Sequence, residues 1–145
     1  MNKHLVTVIA LAAFAGLSFA SCSKPGSSTS TKDMIVAQWT LARQATDTNN
    51  NGKADPNEWS TATSSGLTLA TVNFKADGTG SERYVITGVI DTTQPFTWSL
   101  NSTSTYVTLT FGGTASYMHI DTLNAHVFTL KDTSGGQANW TTLIK

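Results

Sequence analysis

At 145 residues, with 39% apolar and 12% charged side chains, the chain is one domain's worth of polymer with enough apolar content for a core, which excludes a solvated, disordered chain. Nine Lys and Arg balance nine Asp and Glu, too little charge of either sign for a nucleic-acid footprint. The single Cys excludes an intramolecular disulfide and a thiolate zinc cluster, and 25 Thr residues lean the composition toward β-structure.

Residues 1–21 read as a signal peptide outside the fold. Lys3 and His4 make a short basic start, and Leu5 to Phe19 is an apolar run shorter than the ~20 residues that span a bilayer. It ends in Phe19-Ala20-Ser21-Cys22, which resembles the lipobox of bacterial lipoproteins, where small residues precede a Cys that is acylated at the mature N-terminus. The alternative is an ordinary secretory signal followed by a stray thiol, a liability in an oxidising compartment. Each buried methylene of an acyl chain such as palmitate contributes ~0.8 kcal/mol, so two or three chains hold a small domain on a membrane. Cleavage before Cys22 leaves 124 residues of net charge −1, so attachment rests on lipid and not on a basic surface. Residues 22–33 are a flexible tether whose first ten residues, rich in Ser, Gly and Pro, reach on the order of 15–20 Å. Ser23 after the Cys resembles the pattern of outer-membrane lipoproteins, so the expected location is the bacterial cell envelope, lipid-anchored at the outer membrane.

The domain proper is residues 34–145. Ile35, Ala37, Trp39 and Leu41 alternate with Val36, Gln38, Thr40 and Ala42, which predicts a first strand. Then Asp47-Thr48-Asn49-Asn50-Asn51-Gly52-Lys53-Ala54-Asp55-Pro56-Asn57-Glu58 fits the twelve-residue calcium loop at every liganding position. Asp47, Asn49 and Asn51 offer side-chain oxygens, Lys53 its carbonyl, Asp55 a ligand through water and Glu58 a closing bidentate carboxylate. Gly52 permits the reversal. Calcium is hard and takes six to eight oxygens, so this donor set predicts a calcium site. With three carboxylates and two Asn, affinity is expected near 10⁻⁴–10⁻³ M, roughly that of extracellular modules, and the ion is expected to pin the insertion across one barrel mouth. The other reading is a polar turn, since Asn51-Gly52 alone is a hairpin signal. Asp55-Pro56-Asn57-Glu58 is also a helix start, with a cap, Pro at the first position and Glu three residues on, and predicts a short helix ending at Gly66.

Turn residues then recur about every eight to twelve positions. Val72 and Phe74 end a second strand at Lys75-Ala76-Asp77-Gly78, with Leu67–Ala70 of ambiguous parity and a possible bulge before them. Tyr84 and Ile86 share a face of the third; Phe96, Trp98 and Leu100 mark the fourth; Val107, Leu109 and Phe111 the fifth, ended by Gly112-Gly113. Met118 and Ile120 oppose Tyr117, His119 and Asp121 in the sixth, Phe128 and Leu130 mark the seventh, and Trp140 and Ile144 the eighth. Eight strands joined by short turns predict an all-β, eight-stranded up-and-down antiparallel barrel, because closure removes exposed edges; a two-sheet sandwich is the competitor.

Gln38-Trp39-Thr40-Leu41, Phe74-Lys75-Ala76-Asp77-Gly78-Thr79-Gly80, Phe96-Thr97-Trp98-Ser99-Leu100, His119-Ile120-Asp121-Thr122-Leu123-Asn124 and Phe128-Thr129-Leu130-Lys131-Asp132, with a closing Trp strand, resemble bacterial lipocalin-like domains of the calycin type. Ala37 stands in place of the Gly of a Gly-x-Trp start. The resemblance implies a barrel that can hold a small apolar molecule. Trp39, Trp98 and Trp140 fall on the inward parity, His126 shares the parity of Phe128 and Leu130, and Trp59 follows the acidic loop. Trp98, His126 and Trp59 are therefore the candidate ligand contacts, Trp59 as a cap on the mouth or an exposed contact. No Gly-x-Ser-x-Gly turn, phosphate loop or zinc spacing is present, so the chain reads as a non-enzymatic binding protein and a monomer. The rival reading is an interaction module, an accessory subunit or inhibitor with a packed interior.

Overall fold

A computed structural model describes residues 29–65, 69–86 and 89–145. The expected signal peptide, Cys22 and the tether up to residue 28 lie outside the described residues. Where alternation predicts the tether's end and a strand start, Thr31–Ile35 instead form a short helix, α1. Ser30 caps it: its hydroxyl oxygen accepts from the Asp33 N–H at 3.1 Å and donates to the Asp33 carboxylate at 2.7 Å. The helix turns Ile35 inward, fully buried, and the Ile35 carbonyl accepts from the indole N–H of Trp39 at 2.8 Å. Two apolar residues four apart serve a helical turn as well as a strand, and the Ser cap decides between them.

The strands are β1 (Gln38–Thr46), β2 (Trp59–Thr61), β3 (Leu69–Phe74), β4 (Thr79–Ile86), β5 (Ile90–Leu100), β6 (Tyr106–Phe111), β7 (Thr114–Leu123), β8 (Val127–Asp132) and β9 (Asn139–Ile144). From β3 to β9 each pairs antiparallel with its successor, and β9 returns to β1 through Thr40↔Ile144 to Thr46↔Asn139. β1, paired with β3 at its start through Trp39↔Val72, closes an eight-stranded barrel, so the sandwich is excluded. The short β2 is additional. Pro56–Glu58 and Thr63–Ser65 each make one 3-10 turn, and between them Trp59-Ser60-Thr61 pair with β1 through Gln44↔Ser60, where β1 has run past the end of β3. The expected short helix is thus two 3-10 turns split by a strand, because Trp and Thr favour a pleated edge and an unpaired one lies beside them.

Turn chemistry is as the sequence implies. Gly78 takes φ +84° in the β3–β4 hairpin, and Gly112 and Gly113 are both at positive φ between β6 and β7. The pairing of β3 with β4 runs unbroken from Leu69↔Val85 to Phe74↔Gly80, and Ala70 shares the inward side of Phe74, so no bulge falls within Leu69–Phe74; Leu67 and Thr68 lie outside the described residues. Register shifts occur instead at Leu41/Arg43 in β1 and at Ile120/Thr122 in β7, where an extra residue bends the strand.

The core is graded along the barrel. Near α1 it is aromatic: Phe74 meets Phe96, Trp98 and Phe128 at ring centroids 5.4, 5.5 and 5.9 Å, and Trp39 meets Phe128 at 5.5 Å. Gly80 makes room for this packing, since a Cβ there would overlap the Phe96 ring and stand 2.6 Å from the Asn73 carbonyl. Toward the other end the interior side chains are mostly aliphatic, with Phe111, packed on Phe96 at 5.2 Å, among them. Trp140, of inward parity in the sequence, faces outward. It packs with Ala45 and Ala138 in a second cluster covered by Ala54 and Trp59, while Leu143 of the same strand belongs to the main core.

Candidate functional site

The change from aromatic to aliphatic filling leaves a cavity of about 210 Å³ inside the barrel. Phe74 forms its floor, and Leu41, Val72, Leu109, Met118, Leu130 and Leu143 supply apolar wall. Three polar residues also line it: Gln44, Thr141 and Glu82. Gln44 and Thr141 are cross-strand partners of β1 and β9; Thr141 shares the inward parity of Leu143, and the β1 bulge turns Gln44 inward to meet it. Glu82 sits on β4 opposite Val72 and Gln94. Its carboxyl pKa is raised by burial, with no opposing charge or hydrogen bond to lower it. Sequence reasoning missed these three, yet Glu82 had a signal: it shares strand parity with Tyr84 and Gly80, the inward side of the third strand.

None of the expected ligand contacts lines this cavity. Trp98 is 6% exposed at the packed end, its indole N–H shared between the Lys75 and Thr79 carbonyls at 3.0 and 3.1 Å. His126 is exposed in the turn before β8, where strand parity no longer dictates direction; its backbone N–H donates to the Asn124 side-chain oxygen at 2.9 Å. Trp59 stands on the outer wall, with the Arg43 guanidinium 4.0 Å from its ring centre, and caps no mouth.

The acidic loop also lies on the outer wall and does not cross a mouth. The Asp47 N–H donates to the Ala138 carbonyl at 2.8 Å, and the Lys131 ammonium, 4.7 Å over the Trp140 ring, donates to the Gly52 carbonyl at 3.2 Å. Within the loop, Asp47 is 3% exposed and its carboxylate accepts from the N–H groups of Asn51 and Gly52 at 3.0 and 2.7 Å. The Asn49 and Asn51 amide oxygens accept from Asn51 and Lys53 N–H groups at 3.0 and 2.8 Å, which turns both NH₂ groups onto one oxygen of Asp55, each at 2.8 Å. Glu58 accepts from the Thr48 hydroxyl and N–H at 2.6 and 2.7 Å through one oxygen and from the Asp55 N–H at 3.0 Å through the other. These bonds, the Thr48 hydroxyl foremost, hold its carboxyl below the usual carboxylate range. The donor set is oxygen-rich, but amide nitrogens occupy the place where two oxygens would meet a cation. Among the described residues, no three Asp, Glu, His or Cys side chains gather as a metal cluster.

No family model and no curated protein matches the sequence. Among solved structures, the chain is similar to Japanin from Rhipicephalus appendiculatus, determined with cholesterol bound, at 11% identity over 77% of this chain and 76% of that one, with a TM-score of 0.53. It also matches the bovine lipocalin allergen Bos d 2 at 9% identity over 79% of this chain and 74% of that one, with a TM-score of 0.45. The fold is a lipocalin-like, calycin-type barrel.

Proposed function

We propose that this protein is a non-enzymatic, lipid-anchored binding protein of the bacterial cell envelope, whose barrel holds one small apolar ligand. The observation that carries the reading is the apolar cavity of about 210 Å³ within a closed barrel. A fold shared with a protein crystallised around cholesterol supports it. The volume is below the roughly 300–1,000 Å³ of drug-sized pockets, so the ligand is a single ring, a short chain or the end of a longer one. Strand closure supports a monomer, since the pairing of β9 with β1 takes up the two ends of the meander that a second copy would otherwise extend. Native mass spectrometry of protein isolated from its own envelope is expected to show a co-purified small molecule. An interior that arrives and stays empty, and that takes up no apolar probe, returns the rival reading of an interaction module.

Anchoring rests on Cys22 and the lipobox-like Phe19-Ala20-Ser21 before it, with the outer membrane favoured by Ser23. Cys22→Ser is expected to move the protein from the membrane to the soluble fraction; retention on the membrane refutes the anchor. For the loop we propose a weak structural calcium site formed by Asp47, Asn49, Asn51, Lys53, Asp55 and Glu58. The convergence of Asn49 and Asn51 on Asp55 supports it, because rotating both amides replaces two N–H donors by two oxygens. That rotation gives up bonds to backbone N–H groups, which agrees with millimolar affinity. Calorimetric titration with millimolar calcium that yields neither heat nor a melting shift removes the site.

A further inference from the structure

Among the described residues, the Glu82 carboxylate has no charged counterpart in the barrel. It is the only ionisable side chain among the described residues that line the cavity, and none of the described hydrogen bonds or ion pairs engages it. The adjacent Arg83 points to the opposite face of β4, where its guanidinium is committed to Asp91 in a two-pronged pair at 3.0 and 2.7 Å. On the neighbouring strands Glu82 faces Val72 and Gln94, neither of them charged. Across the cavity, Gln44 and Thr141 are neutral. A half-buried carboxylate without a cation or donor is unfavourable by itself, and its pKa is raised accordingly. Such a group is tolerated where an incoming molecule supplies what the protein omits.

Resting on the ligand-binding reading above, we propose that the cavity selects small amphiphilic amines, with a ring or short chain against Leu109, Met118 and Leu130 and the ammonium on Glu82. An amine brings both the missing positive charge and hydrogen-bond donors, and a charged hydrogen bond is about twice as strong as a neutral one. A carboxylic acid of the same size meets like charge and is rejected. An alcohol fills the same volume without the charge. Space for about seven water molecules fits a one-ring amine.

The test is calorimetric titration of the folded protein at pH 7 with 2-phenylethylamine, 2-phenylethanol and 3-phenylpropanoate, using wild type and Glu82→Gln. Wild type is expected to bind the amine about tenfold or more tighter than the alcohol, and the acid more weakly than either. Glu82→Gln is expected to bind amine and alcohol alike, the amine having lost its advantage. An alcohol bound as well as the amine by wild type, or an amine preference kept by Glu82→Gln, overturns the inference and leaves the apolar-ligand reading standing. The wild-type comparison decides even if the variant folds poorly. Binding of none of the three overturns both.

Discussion

Replacing Ala70 by Leu distinguishes a hollow barrel from a packed one through the sign of a stability change. Ala70 is 5% exposed on β3, and its side chain borders the cavity. If the space is real, three added carbons enter it, and burial at ~0.8 kcal/mol per carbon contributes about 2.4 kcal/mol. Fixing the Leu rotamer costs ~0.5–1 kcal/mol, leaving a net gain of about 1.5–2 kcal/mol. At roughly 4–8 °C per kcal/mol for a domain near this size, Tm rises by about 6–16 °C. If the interior were already filled, the same carbons would force neighbours off their rotamers at ~1–3 kcal/mol and Tm would fall. The two outcomes thus differ by 3 kcal/mol or so, well beyond the error of a denaturant titration followed by Trp fluorescence. The midpoint is expected to rise with an unchanged m-value, and affinity for an apolar probe to drop in the same variant. A lowered midpoint at constant m refutes the cavity and with it the reason for assigning a ligand to this barrel.

Three further outcomes are expected. Gly80→Ala drives a methyl group into the Phe96 ring and toward the Asn73 carbonyl, and a loss of about 2–4 kcal/mol in chemical denaturation checks this; a loss under about 0.5 kcal/mol shows that Phe96 moves aside freely. Glu82→Gln raises Tm at pH 7, because a carboxyl with a raised folded-state pKa favours the fold only when protonated; its advantage over wild type shrinks as pH falls toward 4.5, and a constant gap across pH contradicts the burial of that charge. Glu58→Gln behaves oppositely. Its depressed carboxyl stabilises the fold above 4.5 and loses this as pH falls through the lowered value, so melting curves of variant and wild type separate at neutral pH and converge in acid.

Local rules read most of the architecture from the chain. Period-two alternation and Asp77-Gly78 or Gly112-Gly113 turns mark all eight barrel strands, because pleat and turn depend on residues a few positions apart. The same rules fail after a bulge. Past Leu41/Arg43 the faces of β1 exchange, so Ala45 looks outward and Gln44 reaches the cavity. Ser30 is a comparable case: its cap converts the expected strand start into α1.

The candidate site was less legible. Trp98 and His126 carry residue types suited to ligands, but one is spent on hairpin carbonyls and the other lies in a turn. Where the acidic loop lies depends on Lys131 and Ala138, some eighty to ninety residues away, which no window of sequence brings beside Gly52 and Asp47. Strand number, order of turns and the oxygen-rich loop follow from neighbours along the chain, whose geometry the backbone imposes directly. Which wall the loop covers, which way Trp140 faces, and whether the barrel is hollow follow from eight strands summed around a ring. Empty volume is the difference between that ring and the side chains meeting inside it, and only closure through β1 and β9 sets the difference.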